Sequence, residues 1–130
     1  MKKNLKAFTL SELLVVLIIV GILVLIALPN LMPLVNKARS VEAQQGLKTI
    51  YALEKAYYMQ HLNYSTSMDE IGFEMEQSGE SNNNYDFSIG EAGENSFVAT
   101  ATAVKDFDKD GNLNVWTIDE NKNLKEVVKD

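Results

Sequence analysis

Two sets of carboxylates stand where their charge needs explaining. Glu12 lies between a basic start, Lys2-Lys3-Asn4-Leu5-Lys6, and an unbroken run of sixteen apolar or glycine residues from Leu13 to Leu28. An ionisable side chain at the mouth of a membrane-length segment is costly and is retained mainly where it performs a task. The second set is Asp106-Phe107-Asp108-Lys109-Asp110-Gly111-Asn112-Leu113-Asn114. Carboxylates at alternate positions Asp106, Asp108 and Asp110 can converge on one hard cation such as Ca2+. Gly111 permits the sharp turn, and the Asn112 carbonyl and Asn114 could add ligands.

Each set has a plainer reading. Thr9-x-x-Glu12 is a capping-box pattern, in which Thr9 caps a helix and Glu12 reaches back to a free backbone donor. In the acidic stretch, Thr117 stands where a bidentate glutamate belongs, so Asp119 or Glu120 would have to substitute. The alternative there is a hairpin loop whose Asp, Gly and Asn residues serve turn geometry alone. Three aspartates within five residues repel one another without a cation, which favours Ca2+. The single histidine, His61, has no catalytic partner set and reads as a helix-end surface residue. Asn63-Tyr64-Ser65 fits a glycosylation sequon.

The elements that position these groups follow from patterning. Phe8 to Leu28, as helix at about 1.5 Å per residue, is roughly 31 Å long, close to the ~30 Å hydrocarbon core of a bilayer. Basic residues stay on the cytoplasmic side of such a span, so Lys2, Lys3 and Lys6 place the N-terminus inside and the rest outside. An ordinary cleaved signal fits less well: Ala27-Leu28-Pro29 has no Ala-x-Ala pattern, and Glu12 interrupts the start of the apolar region. Pro29, Pro33 and Gly21 either bend a helix that continues or, for the first proline, mark its end at Leu28. Beyond them Leu34, Val35, Ala38 and Val41, then Leu47, Ile50, Leu53 and Tyr57, form an apolar stripe among Lys37, Arg39, Glu42, Gln44, Lys48 and Glu54. Tyr51, Tyr57 and Tyr58 would pack beneath a sheet.

Residues 63–84 are polar and turn-rich, with a short helical turn expected at Ser67 to Ile71. Alternation then predicts four strands: Tyr85 to Ile89, Phe97 to Val104, Leu113 to Ile118, and Leu124 to Val128. The intervening turns, Gly90 to Asn95, Asp106 to Asn112 and Asp119 to Asn123, are too short for crossovers, so the sheet is antiparallel. The fold class is α+β, a long N-terminal helix with hydrophobic and amphipathic halves on a small sheet of about four strands. The 130 residues carry a net charge of -6, with nine basic residues against eighteen acidic ones after Ala7. That balance disfavours nucleic-acid binding, and no direct site for it is legible. There is no cysteine, so a disulfide scaffold is excluded.

Phe8-Thr9-Leu10-Ser11-Glu12-Leu13-Leu14-Val15-Val16, Gly21 in mid-run, and Ala27-Leu28-Pro29 before an amphipathic helix resemble the N-terminus of type IV pilins and the related pseudopilins of type II secretion. The resemblance is specific over Lys2 to Ala38. It implies a leader at 1–7 cut between Ala7 and Phe8 by a prepilin peptidase, N-methylation of Phe8, and assembly into a helical homopolymer by inner-membrane machinery. Ala7 stands where the family usually has glycine, and Ser11 where an aliphatic residue is usual. By resemblance, Glu12 neutralises the Phe8 amine of a neighbouring subunit, and Gly21 permits close helix contact in the filament core.

The resulting expectation is a non-enzymatic filament subunit, anchored in the bacterial inner membrane before assembly and extracellular afterwards. Residues 8–34 form the transmembrane and filament-core helix. Residues 35–130 form the head, with amphipathic helix 35–61, loop 62–84 and sheet 85–130. No cofactor is required, and Ca2+ is the one the acidic loop would take. Membrane lipid is the partner of the apolar helix before assembly. The filament would serve adhesion, motility or DNA uptake. The alternatives are the major pseudopilin of a type II secretion system and a membrane-anchored calcium-binding module.

Overall fold

The computed structural model describes residues 6–74 and 83–129. Lys2 and Lys3 of the leader, and residues 75–82 of the expected loop, including Ser78, Gly79, Ser81 and Asn82, lie outside the described residues. The elements in chain order are α1 (Leu10–His61), α2 (Met68–Ile71), β1 (Tyr85–Ala92), β2 (Phe97–Ala103), β3 (Val115–Asp119) and β4 (Leu124–Val128). The chain divides into two compact units, Met1–Val35 and Asn36–Asp130.

In the first unit α1 is apolar on every side, as a helix in lipid or in a bundle core must be. The helix continues through Pro29 and Pro33, so it does not end at Leu28. Each proline still removes one backbone donor from the ladder. Its large side chains are exposed throughout, among them Leu17 at 68%, Leu25 at 72% and Ile26 at 63%.

In the second unit the remainder of α1 lies on a four-stranded antiparallel meander of order β1-β2-β3-β4. β2 is a central strand. Its alternate residues Phe97, Ala99, Ala101 and Ala103 are all buried, and the three alanines let the helix come close to the sheet. Facing them, Ala43, Leu47 and Ile50 are fully buried, with Ile118 of β3 and Tyr85 of β1 completing the core. The helix contributes Gly46 where the Phe87 ring rests; a Cβ there would run into that ring.

The buried line of α1 therefore differs from the expected stripe. Leu34, Val35 and Val41 are 62%, 41% and 44% exposed, Ala38 is exposed too, and Leu53 and Tyr57 are only half-buried. Leu47 and Ile50 of that stripe are buried as expected, and the line through them is completed by Ala43 and Glu54. The sheet meets the helix only from about Glu42 onward, where the Glu42 carboxylate accepts the Asn84 N–H at 3.2 Å and its amide Nδ2 at 2.7 Å.

Strand boundaries also differ, by one residue at the ends of β2 and β3 and by more at two places. β1 extends past Gly90 to Ala92, because the pairing with β2 shifts between Ile89 and Glu91 and leaves Gly90 as a bulge. The turn that follows is correspondingly tight, closed by Gly93 N–H to the Ser96 carbonyl at 2.9 Å. β3 begins at Val115 and not Leu113, since Asn114 is buried in a polar bridge described below. The short helix α2 forms as expected: Ser67 caps it through Glu70 N–H, and Gly72 ends it at φ 75°, the left-handed conformation that glycine adopts without steric cost.

Tyr51, Tyr57 and Tyr58 pack against the core. Tyr51 lies 6.2 Å from Phe97, Tyr58 stacks on Tyr64 at 4.8 Å, and Tyr57 stacks on exposed His61 at 4.1 Å. Leu47, fully buried beneath the alanines of β2, sets the helix-to-sheet spacing. Leu47→Ala is expected to lower stability by about 2–5 kcal/mol. Chemical denaturation of the full chain in detergent, followed by fluorescence of the single tryptophan Trp116, measures the loss.

Candidate assembly end and acidic loop

The chain from Lys6 to Thr9 is non-helical and exposed, so the Ala7–Phe8 bond is sterically open, and the Phe8 side chain is 80% exposed. At the start of α1 the capping box is formed. Thr9 N–H donates to Glu12 Oε2 at 2.9 Å, and Glu12 N–H donates to Thr9 Oγ1 at 3.3 Å. Ser11 joins it, with its Oγ 3.1 Å from Thr9 Oγ1. The Glu12 carboxylate is thereby turned toward the residue that follows Phe8. A Cβ placed on Gly21 would meet nothing within 4 Å.

The acidic loop is folded on its own carboxylates. Asp106 accepts Lys109 N–H at 2.6 Å and Gly111 N–H at 2.8 Å, Asp108 accepts Asp110 N–H at 3.0 Å, and Asp110 accepts Asn112 N–H at 2.7 Å. Lys109 and Gly111 adopt φ 64° and 94°, which gives the sharp reversal. One ligand atom from each of Asp106, Asp108 and Asp110 lies within 4.8 Å of the others. The Gly111 N–H above all holds the Asp106 carboxyl below the ordinary aspartate value, outweighing slight burial, with help from Lys109, Asp110 and Asp108. Phe107 anchors the loop: the Arg39 guanidinium of α1 sits 4.6 Å from its ring centre, and Tyr85 meets it edge-on at 5.9 Å.

Asn114 and Asp119 are used elsewhere. Asn114 is 3% exposed; its Oδ1 accepts the Tyr85 hydroxyl at 2.7 Å, and its Nδ2 donates to Glu126 Oε1 at 2.8 Å and the Val128 carbonyl at 2.9 Å. It thus stitches β1 and β4 across the entrance to β3. Asp119 closes the β3–β4 turn by accepting Asn121 N–H, Asn123 N–H and Asn123 Nδ2 at 2.9 to 3.0 Å. Burial alone would raise its carboxyl, but the Asn123 and Asn121 donors and Lys125 together bring it below the ordinary value.

The sequence reading missed Glu54. Set among the polar residues of the helix, it is in fact 0% exposed. Its Oε2 accepts Ser65 N–H at 3.0 Å, while Oε1 is buried with no hydrogen-bond partner. Burial pushes its carboxyl above the usual glutamate value, against the opposing pull of the Ser65 N–H. The signal was available, since position 54 continues the spacing of 43, 47 and 50. Neighbouring Lys55 donates to the Tyr64 hydroxyl at 2.8 Å, a bond that raises its ammonium above the usual lysine value.

A capped helix long and apolar enough to cross a membrane, followed by a helix-backed antiparallel meander, defines a pilin-like α+β protein. Residues 2–28 match the prokaryotic N-terminal methylation motif. Residues 29–113 match the family described as "Type IV minor pilin ComP, DNA uptake sequence receptor". The chain belongs to the type IV pilin family, a structural family and not an enzyme family. It is also 38% identical over 72 residues to the type IV major pilin protein PilA of Myxococcus xanthus, an alignment covering 55% of this chain and 33% of that pilin.

The Asn114 bridge makes a prediction that separates framework from ligand. Asn114→Ala removes three hydrogen bonds of a buried amide and is expected to cost about 1–3 kcal/mol. The loss, read by denaturation of the full chain in detergent, should be the same in Ca2+ and in chelator, because Asn114 serves the strands and not the loop.

Proposed function

We propose that this chain is the structural subunit of a type IV pilus filament. A prepilin peptidase cuts between Ala7 and Phe8, Phe8 is N-methylated, and inner-membrane machinery draws the subunit from the bilayer into a helical homopolymer. The observation that carries this reading is the bare apolar half of α1, none of it buried within the chain, with Glu12 fixed at its start. Before assembly lipid covers that surface, with the basic leader on the cytoplasmic side. After assembly the same surface of other copies would cover it, with Gly21 allowing close approach. The matched descriptions name pilins, which supports a pilus over a secretion pseudopilin.

Cleavage before Phe8 creates an ammonium group four positions before Glu12. Two opposite charges at the edge of lipid attract strongly and are each costly alone, so a neighbour's amine would draw an incoming subunit into register. DNA uptake is the role favoured among the filament's surface functions, on the description of the matched family. The acidic balance of the chain requires that any DNA contact be local, because a phosphate backbone is repelled by the surface as a whole.

We also propose a Ca2+ site at Asp106, Asp108 and Asp110, with the Asn112 carbonyl as a further ligand. The carboxylates suit a hard cation, and with Asn114 and Asp119 spent elsewhere, water must complete the shell. Binding should therefore be weak, in the range of about 10⁻⁴ to 10⁻³ M. Calorimetric titration of the full chain with CaCl2 measures it, and Asp108→Asn should abolish the heat.

The assembly role of Glu12 is separable from its cap. Glu12→Gln keeps an oxygen for Thr9 N–H but loses the charge, so sheared filament yield should fall to the level of Glu12→Ala. Full assembly of the glutamine variant would show that capping suffices. Mass spectrometry of the wild-type filament should find methylated Phe8 as its first residue.

A further inference from the structure

Glu54 is a charged residue type placed where a core leucine would otherwise continue the line of Ala43, Leu47 and Ile50. Among the described residues its carboxylate has one hydrogen-bond partner, the Ser65 N–H at 3.0 Å, and no cation reaches it. That one bond belongs to a joint. Adjoining Tyr64 donates its N–H to the Gly93 carbonyl at 2.9 Å and lays its ring 4.9 Å from Phe97. The Ser65 hydroxyl donates to Glu70 and accepts Ser67 N–H, which ties in α2. Glu54 therefore holds residues 62–72 on the helix, and through them the β1–β2 turn.

The titratable groups that neighbouring elements bring to this joint are otherwise engaged. On α1, Lys55 donates to the Tyr64 hydroxyl, the ammonium groups of Lys55 and Lys122 lie 5.5 and 5.8 Å from the centre of the Tyr51 ring, and Tyr58 stacks on Tyr64. From the 62–72 segment, Glu70 takes the Ser65 hydroxyl. From the β3–β4 turn, Glu120 acts on Lys55. An ionised Glu54 would thus be a buried charge with no counter-ion and one orphaned oxygen, a state that proteins escape by neutralising the group.

We propose that Glu54 is a proton-operated latch: as a neutral acid it stays in the core and holds Ser65, and on losing its proton to solvent it leaves the core and frees the 62–72 segment. The latch stands independently of the filament reading. Burial raises the folded carboxyl above 4.5, its value when open, so the folded joint binds the proton more tightly than the open one. The stabilisation is complete below that pH and is lost as pH rises through the folded value.

Amide hydrogen exchange of the full chain in detergent micelles, corrected for the intrinsic base-catalysed rate, tests the latch. The opening constant of Ser65 and its neighbours should rise by up to about tenfold per pH unit above pH 4.5, then level off once the folded carboxyl ionises. In Glu54→Gln it should be flat over the same range. An equal rise in the glutamine variant, or none in the wild type, overturns the proposal. A carbon-13 carboxyl titration of wild-type Glu54 needs no variant: its midpoint should lie above 4.5, and a midpoint at or below that value overturns the latch.

Discussion

The structure turns on an uncovered apolar surface that the chain cannot bury by itself. From Leu13 to Leu34 the large side chains of α1 are about half exposed or more, with no other element of the described chain over them. Each such side chain gains about 1.5–3 kcal/mol when removed from water, so the total for the run is tens of kcal/mol. No rearrangement of a small four-stranded sheet could supply that cover. Lipid and the equivalent helices of other copies can, and a helix suits both because it satisfies its own backbone. With the apolar run in lipid, the two prolines near its distal end would stand closer to water, which can serve carbonyls that have lost their donors.

The second unit solves a smaller problem with ordinary means. Its core is one helix face against one sheet face, and three alanines on β2 bring the two together. Polar side chains then fix what apolar packing leaves loose. Glu42 pins the start of β1, Asn114 joins β1 to β4, Asp119 shapes the last turn, and Glu54 fastens the connection after the helix. Three of these four are acidic residues, so part of the acidic composition serves the framework without invoking a ligand.

Features carried by local pattern were legible in the sequence: the apolar run, the alternation of β2, the short helical turn after Ser67 and the box at Thr9 and Glu12. Features that depend on distant partners were not. Asn114 meets Tyr85 across 29 positions and Glu42 meets Asn84 across 42. Composition marks such residues as turn or surface types, and only the fold shows that they are spent on buried bonds. The stripe at Leu34, Val35, Ala38 and Val41 was misread for the converse reason. Helical periodicity says that a face is apolar, but not whether this chain or another partner covers it.

Glu12 brings the local and the distant together. Its Oε2 is held by the Thr9 N–H, and among the described residues Oε1 has no partner. A carboxylate accepts several hydrogen bonds, so the cap leaves capacity for an ammonium group. The cap also fixes the side chain toward the N-terminal end of the helix, which removes rotamer freedom that an intermolecular contact would otherwise have to restrict. In the proposed assembly, capping and subunit pairing would therefore be successive uses of one side chain. The local hydrogen bond orients the charge, and removal of the residues up to Ala7 would supply the amine to which it is directed.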